Sequence, residues 1–481
     1  MTSSADPLRS RRGTTTRPPA VATTPAAAGA RSTTQSWNVV AITVIWLTSL
    51  FVVALWVHGG GIQTVFRLNA DTLDTLGRIT GLVSANLLLY QVLLMARVPV
   101  FERGFGRGAI TRMHRIVGLW SFWLLVAHLL LITLGYASAV GLNPLVQLWQ
   151  LIWDYPGMLL ATAGTALLIL VVVTSIRRTR AKLRYESWHL LHLYGYLGAG
   201  LAIPHMLWTG ADFLSSPTAT VYWWTLWAIT AAAVIVYRVI VPLVRSARHT
   251  VRVASVQRDG AKGVTVRMTG RALHRLRAAP GQYFVWRFLD GPGWTRGNPF
   301  SLSAAPNGDE LVISARLVGD GTSRLTALRR GTRVMFEGPY GDMTGERRRA
   351  HRLLMIGAGA GVAPLVALLE GERYAPGEAI LITRDHATHD ALRSNAIARL
   401  VQRRGLVHYA LDGPRARTGS TWLPASHGEW NGADLLRYVA GELGDVDVYL
   451  CGPTPWMDVL MADVQGAGVA PTHIHHESFE I

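Results

Sequence analysis

Residues 114–135 read HRIVGLWSFWLLVAHLLLITLG, and residues 188–208 read WHLLHLYGYLGAGLAIPHMLW. Each stretch can cross a hydrocarbon core of about 30 Å at about 1.5 Å per residue. The first holds two imidazoles in apolar sequence, His114 and His128; the second holds His192 and His205, with His189 one turn before His192. Ionisable groups inside a membrane helix are costly and usually functional. The two pairs are separated by 14 and 13 residues, which is about 20 Å along a helix.

Four further apolar stretches flank these two, at 37–57, 73–96, 156–176 and 220–241. Buried core helices would be shorter and one-sided, so the pattern predicts a six-helix, all-α transmembrane bundle over 36–245. Residues 1–35 are Thr, Ser, Ala, Pro and Arg without an apolar run, which predicts a disordered basic tail and no signal peptide. The 97–115 connection holds Arg97, Arg103, Arg107, Arg112 and Arg115, and the 177–187 connection holds Arg177, Arg178, Arg180, Lys182 and Arg184. Residues 136–154 and 209–219 contain no Lys or Arg. The positive-inside rule then predicts a multi-pass cell (plasma) membrane protein with both termini cytoplasmic. Trp149, Trp153, Trp208, Trp223 and Trp224 fall at the expected outer interface.

This topology explains the composition. The 481 residues carry a formal charge of +17, yet only 16% are charged and 17 are Trp. Residues 1–248 hold 20 Lys and Arg against 7 Asp and Glu, and the remainder hold 27 against 23. The excess therefore sits in the hydrophobic half, as a topology signal; no nucleic-acid partner is needed to account for it. The single Cys, Cys451, excludes a disulfide framework, an iron–sulfur cluster and CxxCH haem attachment.

In this topology the third and fifth spans run parallel. His114 can face His192 near the cytoplasmic side, and His128 can face His205 near the outer side. Two stacked bis-imidazole sites suit two b-type haems, because neutral imidazole ligates iron and no Cys is available for covalent attachment. The alternative, polar residues satisfied within a bundle, fits one histidine better than four at matched spacing. One difficulty is angular. A step of 14 residues returns to within about 40° of the same face, whereas 13 residues land about 140° away on an ideal helix. Pro204, just before His205, removes a backbone hydrogen bond and can rewind the helix there. His189 breaks the matched spacing and reads as a supporting group. Arg78, near the outer end of the second span, suits either a haem propionate or an interfacial snorkelling role.

Beyond residue 249 the pattern changes to short β-rich runs at 251–256, 264–268, 283–288 and 311–317, broken by Gly, Pro and Asp. These predict a small antiparallel β-barrel over 249–345. From 350 to 481, candidate strands at 353–356, 379–383, 406–410 and 446–450 alternate with helical pattern, which predicts a parallel α/β, Rossmann-like domain. Gly357, Gly359, Gly361 and Pro364 lie between strand and helix, as a pyrophosphate-cradling loop requires.

These parts, in this order, resemble the ferric reductase and NADPH oxidase-like transmembrane haem proteins fused to a flavin and nicotinamide module of the ferredoxin–NADP reductase type. The resemblance covers about 73–481. It implies that His114, His128, His192 and His205 ligate haem iron. It implies a flavin, FAD before FMN, at Asn298-Pro299-Phe300-Ser301-Leu302-Ser303, with Phe300 against the ring and the Ser301 hydroxyl near it. Asn298 departs from the usual Arg or His, and Arg296 is the available substitute. Gly319 and Thr322 would hold flavin pyrophosphate, and Glu337-Gly338-Pro339-Tyr340-Gly341 would close the barrel. Gly357, Gly359, Gly361, Pro364, Gly452 and Pro453 would hold NADPH or NADH. Cys451 would lie beside the nicotinamide, and Phe479, in the terminal Glu-Ser-Phe-Glu-Ile, would shield the flavin. Arg384 suits a ribose 2′-phosphate or a solvated loop charge. His473, His475 and His476 have metal-like spacing, but on a terminal strand the non-metal reading is favoured.

The resemblance thus implies an enzyme that moves electrons from cytoplasmic NAD(P)H through FAD and two haems to a small outer acceptor, oxygen or a ferric chelate. A quinone or an extracytoplasmic redox partner protein is the alternative recipient. A membrane transporter or sensor with a regulatory nucleotide-binding domain is the more remote alternative.

Overall fold

The computed structural model describes residues 27–479 apart from 69–70, 106, 181–182, 184, 215, 292 and 417–420. The N-terminal half is helical: α1 (Ala27–His58), α2 (Asp71–Leu94), α3 (Arg107–Val140), α4 (Pro144–Asp154), α5 (Met158–Ser175), α6 (Tyr185–Trp208) and α7 (Pro217–Val234). A π-helical turn, Ile235–Ile240, links α7 to α8 (Val241–His249). Local chemistry sets the helix starts. Asn143 accepts from the Leu145 amide at 2.9 Å and Ser216 from the Ala219 amide at 3.2 Å, each followed by proline at the first helical position. Residues 27–35, assigned by composition to the tail, instead continue α1, in keeping with their alanine content. The rest of that tail lies outside the described residues.

Among the described residues, four helices are long and apolar enough to cross a membrane: Asp71–Leu94, Gly108–Val140, Met158–Ser175 and Pro217–His249. Six were expected. Ile42–His58 is apolar but shorter. The α6 helix carries Glu186, His189, His192 and His205, and these polar groups lower its hydropathy.

Glycine sets the helix spacing. A Cβ on Gly164 would lie 2.6 Å from the Gly198 carbonyl oxygen, and one on Gly198 would lie 2.9 Å from that of Gly164, so α5 and α6 touch backbone to backbone. Helices α2 and α3 meet at Gly77 and Gly135, where a Cβ would meet Ile132 at 2.8 Å and the Asp74 amide at 2.9 Å. Polar pairs add specificity. Ser84 and Ser121 exchange hydroxyl-to-carbonyl bonds of 2.7 and 3.0 Å between α2 and α3. Tyr222 donates to Asn86 at 2.6 Å, joining α7 to α2.

Two three-stranded antiparallel sheets follow. Strands β1 (Arg252–Arg258), β2 (Gly263–Thr269) and β5 (Glu310–Arg316) form one, in the order β1-β2-β5. Strands β3 (Tyr283–Phe288), β4 (Asn298–Ser301) and β6 (Val334–Tyr340) form the other, in the order β4-β3-β6. Bridges at Arg252–Arg333 and Leu302–Ile313 join them around a core that includes Val266, Trp286, Leu302, Ile313 and Phe336.

The last domain is a five-stranded parallel sheet, order β11-β10-β7-β8-β9, built from β7 (Arg352–Ala358), β8 (Ala379–Arg384), β9 (Val407–Ala410), β10 (Val446–Pro453) and β11 (Ile474–Phe479). Alternate residues of β7 feed opposite faces. Leu354 and Ile356 join one core, while Leu353 and Met355 join the other with α9 (Val362–Gly371) and α10 (Ser394–Arg404). The chain runs outward from β7 through β8 to β9, then returns to β10 on the other side. The β7/β10 junction is therefore the switch point where open α/β sheets bind ligands.

Replacing Gly198 with Leu should force α5 from α6 and lower stability by about 1–3 kcal/mol. The midpoint of thermal unfolding in detergent checks this, and an unchanged midpoint would contradict the close approach.

Candidate functional site

The four membrane histidines form two facing pairs. The ring centres of His114 and His192 are 6.0 Å apart, and those of His128 and His205 are 6.5 Å apart. Two imidazoles on opposite sides of one ion, at metal–nitrogen bonds of about 2 Å, have ring centres roughly 6 Å apart. Both separations therefore leave room for a single metal ion.

The hydrogen bonds select the ligating nitrogen. His114 Nδ1 donates to the Gln91 carbonyl at 3.0 Å, and His128 Nδ1 to the Gly77 carbonyl at 2.7 Å. Thr209 donates its hydroxyl proton to the His205 carbonyl at 2.7 Å, so its oxygen accepts from His205 Nδ1 at 2.6 Å. Ser175 likewise donates to the Val171 carbonyl at 2.7 Å and accepts from His192 Nδ1 at 3.3 Å. Each Nδ1 carries its proton, which leaves each Nε2 lone pair for a metal. The 13-residue step is accommodated: α6 stays helical through Pro204. At Gly157, just before α5, a Cβ would meet the His205 amide at 2.7 Å. A Cβ on Gly81 would meet the His128 ring at 2.5 Å, so this glycine seats the imidazole.

A continuous cavity of about 2950 Å³ joins these pairs to the C-terminal domains. Its wall runs from Asp74, Arg78 and Tyr136, past both histidine pairs, to Asn298, Pro299, Phe300 and Ser301, and on to Gly359, Pro364 and Pro453. Arg78 pairs with Asp74 on its own helix at 2.8 Å. The Ser301 hydroxyl is buried without a protein partner, as an oxygen awaiting a ligand would be. Asn298 Nδ2 is tied to the Arg296 carbonyl at 3.3 Å, and Arg296 itself lines the cavity.

Several sequence candidates serve the site indirectly. Ser303 is fully buried and accepts from the Ser314 hydroxyl at 3.0 Å inside the barrel. Thr322 closes its own turn, accepting from the Val318 and Gly319 amides at 3.1 and 3.3 Å. A four-residue α-helix, Asp320–Ser323, and a 3-10 turn, Arg324–Ala327, follow Gly319. Gly357, Gly361 and Gly452 act through close packing. A Cβ on Gly361 would lie 2.0 Å from the Cys451 carbonyl oxygen, so only glycine lets this loop lie across the β7/β10 junction. Cys451 is in the core with no exposed surface, and burial pushes its thiol up. Its thiol packs in the core while Pro453 lines the cavity, because alternate residues of β10 face opposite sides of the sheet. Phe479 ends β11 opposite Pro453; its side chain lies outside what the structure describes.

Arg384 is 7% exposed, which overturns the solvated-charge option. It donates to the Asp385 carbonyl and, at 2.9 Å, to the Gly413 carbonyl, and burial holds its guanidinium below the ordinary value. Arg316 of β5 pairs with Asp385 beside Gly359. Burial pushes the Asp385 carboxyl up to about 6, against the pull of Arg316. No motif marked this contact between barrel and sheet. His473 and His475 face the buried Asp447 carboxylate at 3.4 and 2.9 Å.

Helical membrane bundle, flavin-type barrel and nucleotide-binding sheet together define a membrane oxidoreductase class. Residues 80–203 match the family described as ferric reductase like transmembrane component. The chain is 30% identical over 200 residues to the heme-binding subunit of protein-methionine-sulfoxide reductase from Klebsiella pneumoniae, covering 40% of this chain and 91% of that protein. It is 30% identical over 214 residues to a flavohemoprotein from Chromobacterium violaceum, covering 42% of this chain and 52% of that protein. It is also 23% identical over 227 residues to a superoxide-generating NADPH oxidase heavy chain of Dictyostelium discoideum, covering 43% and 41%. The chain thus spans about half the length of the flavohemoprotein. The chain belongs to the ferric reductase-like transmembrane family.

Two outcomes are expected. Changing His205 to Ala leaves one facing pair intact; on the expectation that each pair holds one haem, haem content by pyridine haemochrome assay should fall by about half. The Cys451 thiol should resist alkylation in the folded protein and react fully after unfolding; rapid labelling of folded protein would contradict its burial.

Proposed function

We propose that the chain carries electrons across a cell membrane from cytoplasmic NAD(P)H to an acceptor at the outer face, oxygen or a ferric chelate. The observation that carries this reading is the continuous cavity, which touches the glycine-rich loop, the Ser301 region and both histidine pairs. When bound, FAD converts a hydride into single electrons, and two b-type haems accept them singly.

The chain's own residues supply positions. In this reading six helices span the membrane, with α1 and α6 added to the four apolar ones, and the arginine-rich connections hold both termini in the cytoplasm. His114 and His192 hold the inner iron, and His128 and His205 hold the outer one. Their protonated Nδ1 atoms and the carbonyl or hydroxyl acceptors fix each ring before a metal arrives. Asn298, Pro299, Phe300 and Ser301 would bind the flavin ring, and the turn at Gly319 and Thr322 would hold its phosphates. Ser301 brings a buried hydroxyl with no protein partner to this wall. The Gly357–Gly361 loop, Pro364 and Gly452–Pro453 hold the nicotinamide dinucleotide, with Phe479 as the shield it displaces. Arg384 and Arg415, on the same wall, favour the 2′-phosphate of NADPH over NADH.

A second reading delivers the electrons to an extracytoplasmic redox partner protein. The likeness to a heme-binding subunit, across 91% of that protein, favours it.

The test is a spectrum of purified protein under anaerobic NADPH or NADH. Flavin bleaching followed by a haem b α-band is expected. Reoxidation by oxygen or ferric chelate supports a small acceptor, and inertness to both supports the partner protein. Full haem content in the His114→Ala and His192→Ala variants would sink the ligand assignment.

A further inference from the structure

Strand β6 meets the membrane helices along most of its C-terminal half. Glu337 is 6% exposed, and its carboxylate takes Arg287 of the barrel at 2.5 Å and Arg238 of the π-helical turn at 3.7 Å. One residue earlier, Ser246 of α8 accepts from the Phe336 amide at 3.0 Å and donates to its carbonyl at 3.3 Å. One residue later, Arg245 donates to the Gly338 carbonyl. Three residues later, the Arg97 guanidinium lies 4.2 Å over the Tyr340 ring, and it donates to the Tyr283 hydroxyl at 3.4 Å. Arg97 itself adopts φ +66°, a costly conformation for a non-glycine residue.

The membrane side of this contact is equally specific. A π-turn inserts an extra residue into a helix and often marks a functional place. Here it carries Arg238 in the C-terminal half of the last apolar helix, Pro217–His249. Arg97 lies between α2 and α3, so two separate connections grip one strand. Arg97, His189, Arg238, Tyr283, Arg287 and Glu337 all line the cavity that also touches the inner histidine pair and Ser301.

We infer that Glu337 and Tyr340 are positioning residues that dock the flavin-type barrel onto the membrane bundle, so that the motif Glu337–Gly341 is a coupling element as well as a barrel closure. Glu337 is held between two arginines, one from each domain, and its carboxylate faces both. Tyr340 offers its ring face to Arg97 as a second, separate point. Two points on one strand fix both the distance and the rotation of the barrel. The effect on electron transfer rests on the path proposed above; the docking itself does not. Small misplacement of reacting partners costs rate steeply, up to about 10²-fold for 1 Å.

The test uses full-length purified protein and the variants Glu337→Gln, Glu337→Asp, Arg238→Met and Tyr340→Leu. Hydrogen exchange across 241–249 reads docking directly. Stopped-flow under anaerobic NADPH separates flavin bleaching from the haem α-band. In Glu337→Gln, Arg238→Met and Tyr340→Leu, exchange should rise across 241–249 and haem reduction should slow about tenfold, while flavin bleaching stays within about twofold. Glu337→Asp should recover most of both. Wild-type exchange and haem reduction in Arg238→Met would overturn the docking role. So would loss of flavin from Glu337→Gln with exchange unchanged, because Glu337 would then serve the barrel alone. If wild-type protein shows no haem reduction at all, the electron path fails, and the exchange data still decide the docking.

Discussion

A polar ring inside an apolar helix bundle is stable only when its nitrogens have partners, and the four histidines of α3 and α6 meet that constraint in two halves. Carbonyls of Gln91 and Gly77 and hydroxyls of Ser175 and Thr209 take the Nδ1 protons. The opposite nitrogens are left to share one ion per pair. Much else in the membrane half follows from bringing α3 and α6 into facing positions. Gly81 seats one ring, Gly157 lies against the backbone of another, and Gly164 with Gly198 lets α5 support α6 at backbone contact. Ser84, Ser121, Asn86 and Tyr222 fix the neighbouring helices with directional bonds where apolar side chains alone would allow sliding.

The C-terminal domains obey a different constraint. A dinucleotide needs backbone at close range, and the β7/β10 junction supplies it because Gly361 can lie on the Cys451 carbonyl. Barrel residues line the same cavity as that junction and the membrane helices. Ion pairs tie the barrel on both sides: Arg316 with Asp385 towards the sheet, and Glu337 with Arg238 towards the bundle. Both pairs join groups on different domains, and each is largely shielded from solvent, so their value lies in register more than in net stability.

Much of this was legible in the chain. Apolar length and arginine-rich connections announced the bundle, and strands such as β3 and β8 fell within a residue of their expected limits. The histidine pairing followed from spacing. Other features were not legible. Strands β4 and β6 were missed because their Asn, Gly, Pro and Glu carry weak strand propensity, and tertiary pairing with β3 overrides it. The α6 helix falls outside the apolar set because its ligand candidates lower its hydropathy. Cys451 was read from its motif, but the two-residue period of β10 turns its side chain into the core.

The sequence alone determined which residue types lie at which helical and strand periods: the four histidines, the two glycine-bearing loops and the change from apolar spans to β-rich runs. Periodicity and charge act locally along the chain, so they can be read without a fold. Tertiary structure alone decided which hydroxyl or carbonyl orients each imidazole, which glycines touch ligand space and which only permit packing. It also decided that β6 faces the membrane helices. Those outcomes depend on contacts between residues far apart in the chain, such as Arg97 with Tyr340 and Arg316 with Asp385, and no local pattern encodes the distance between them.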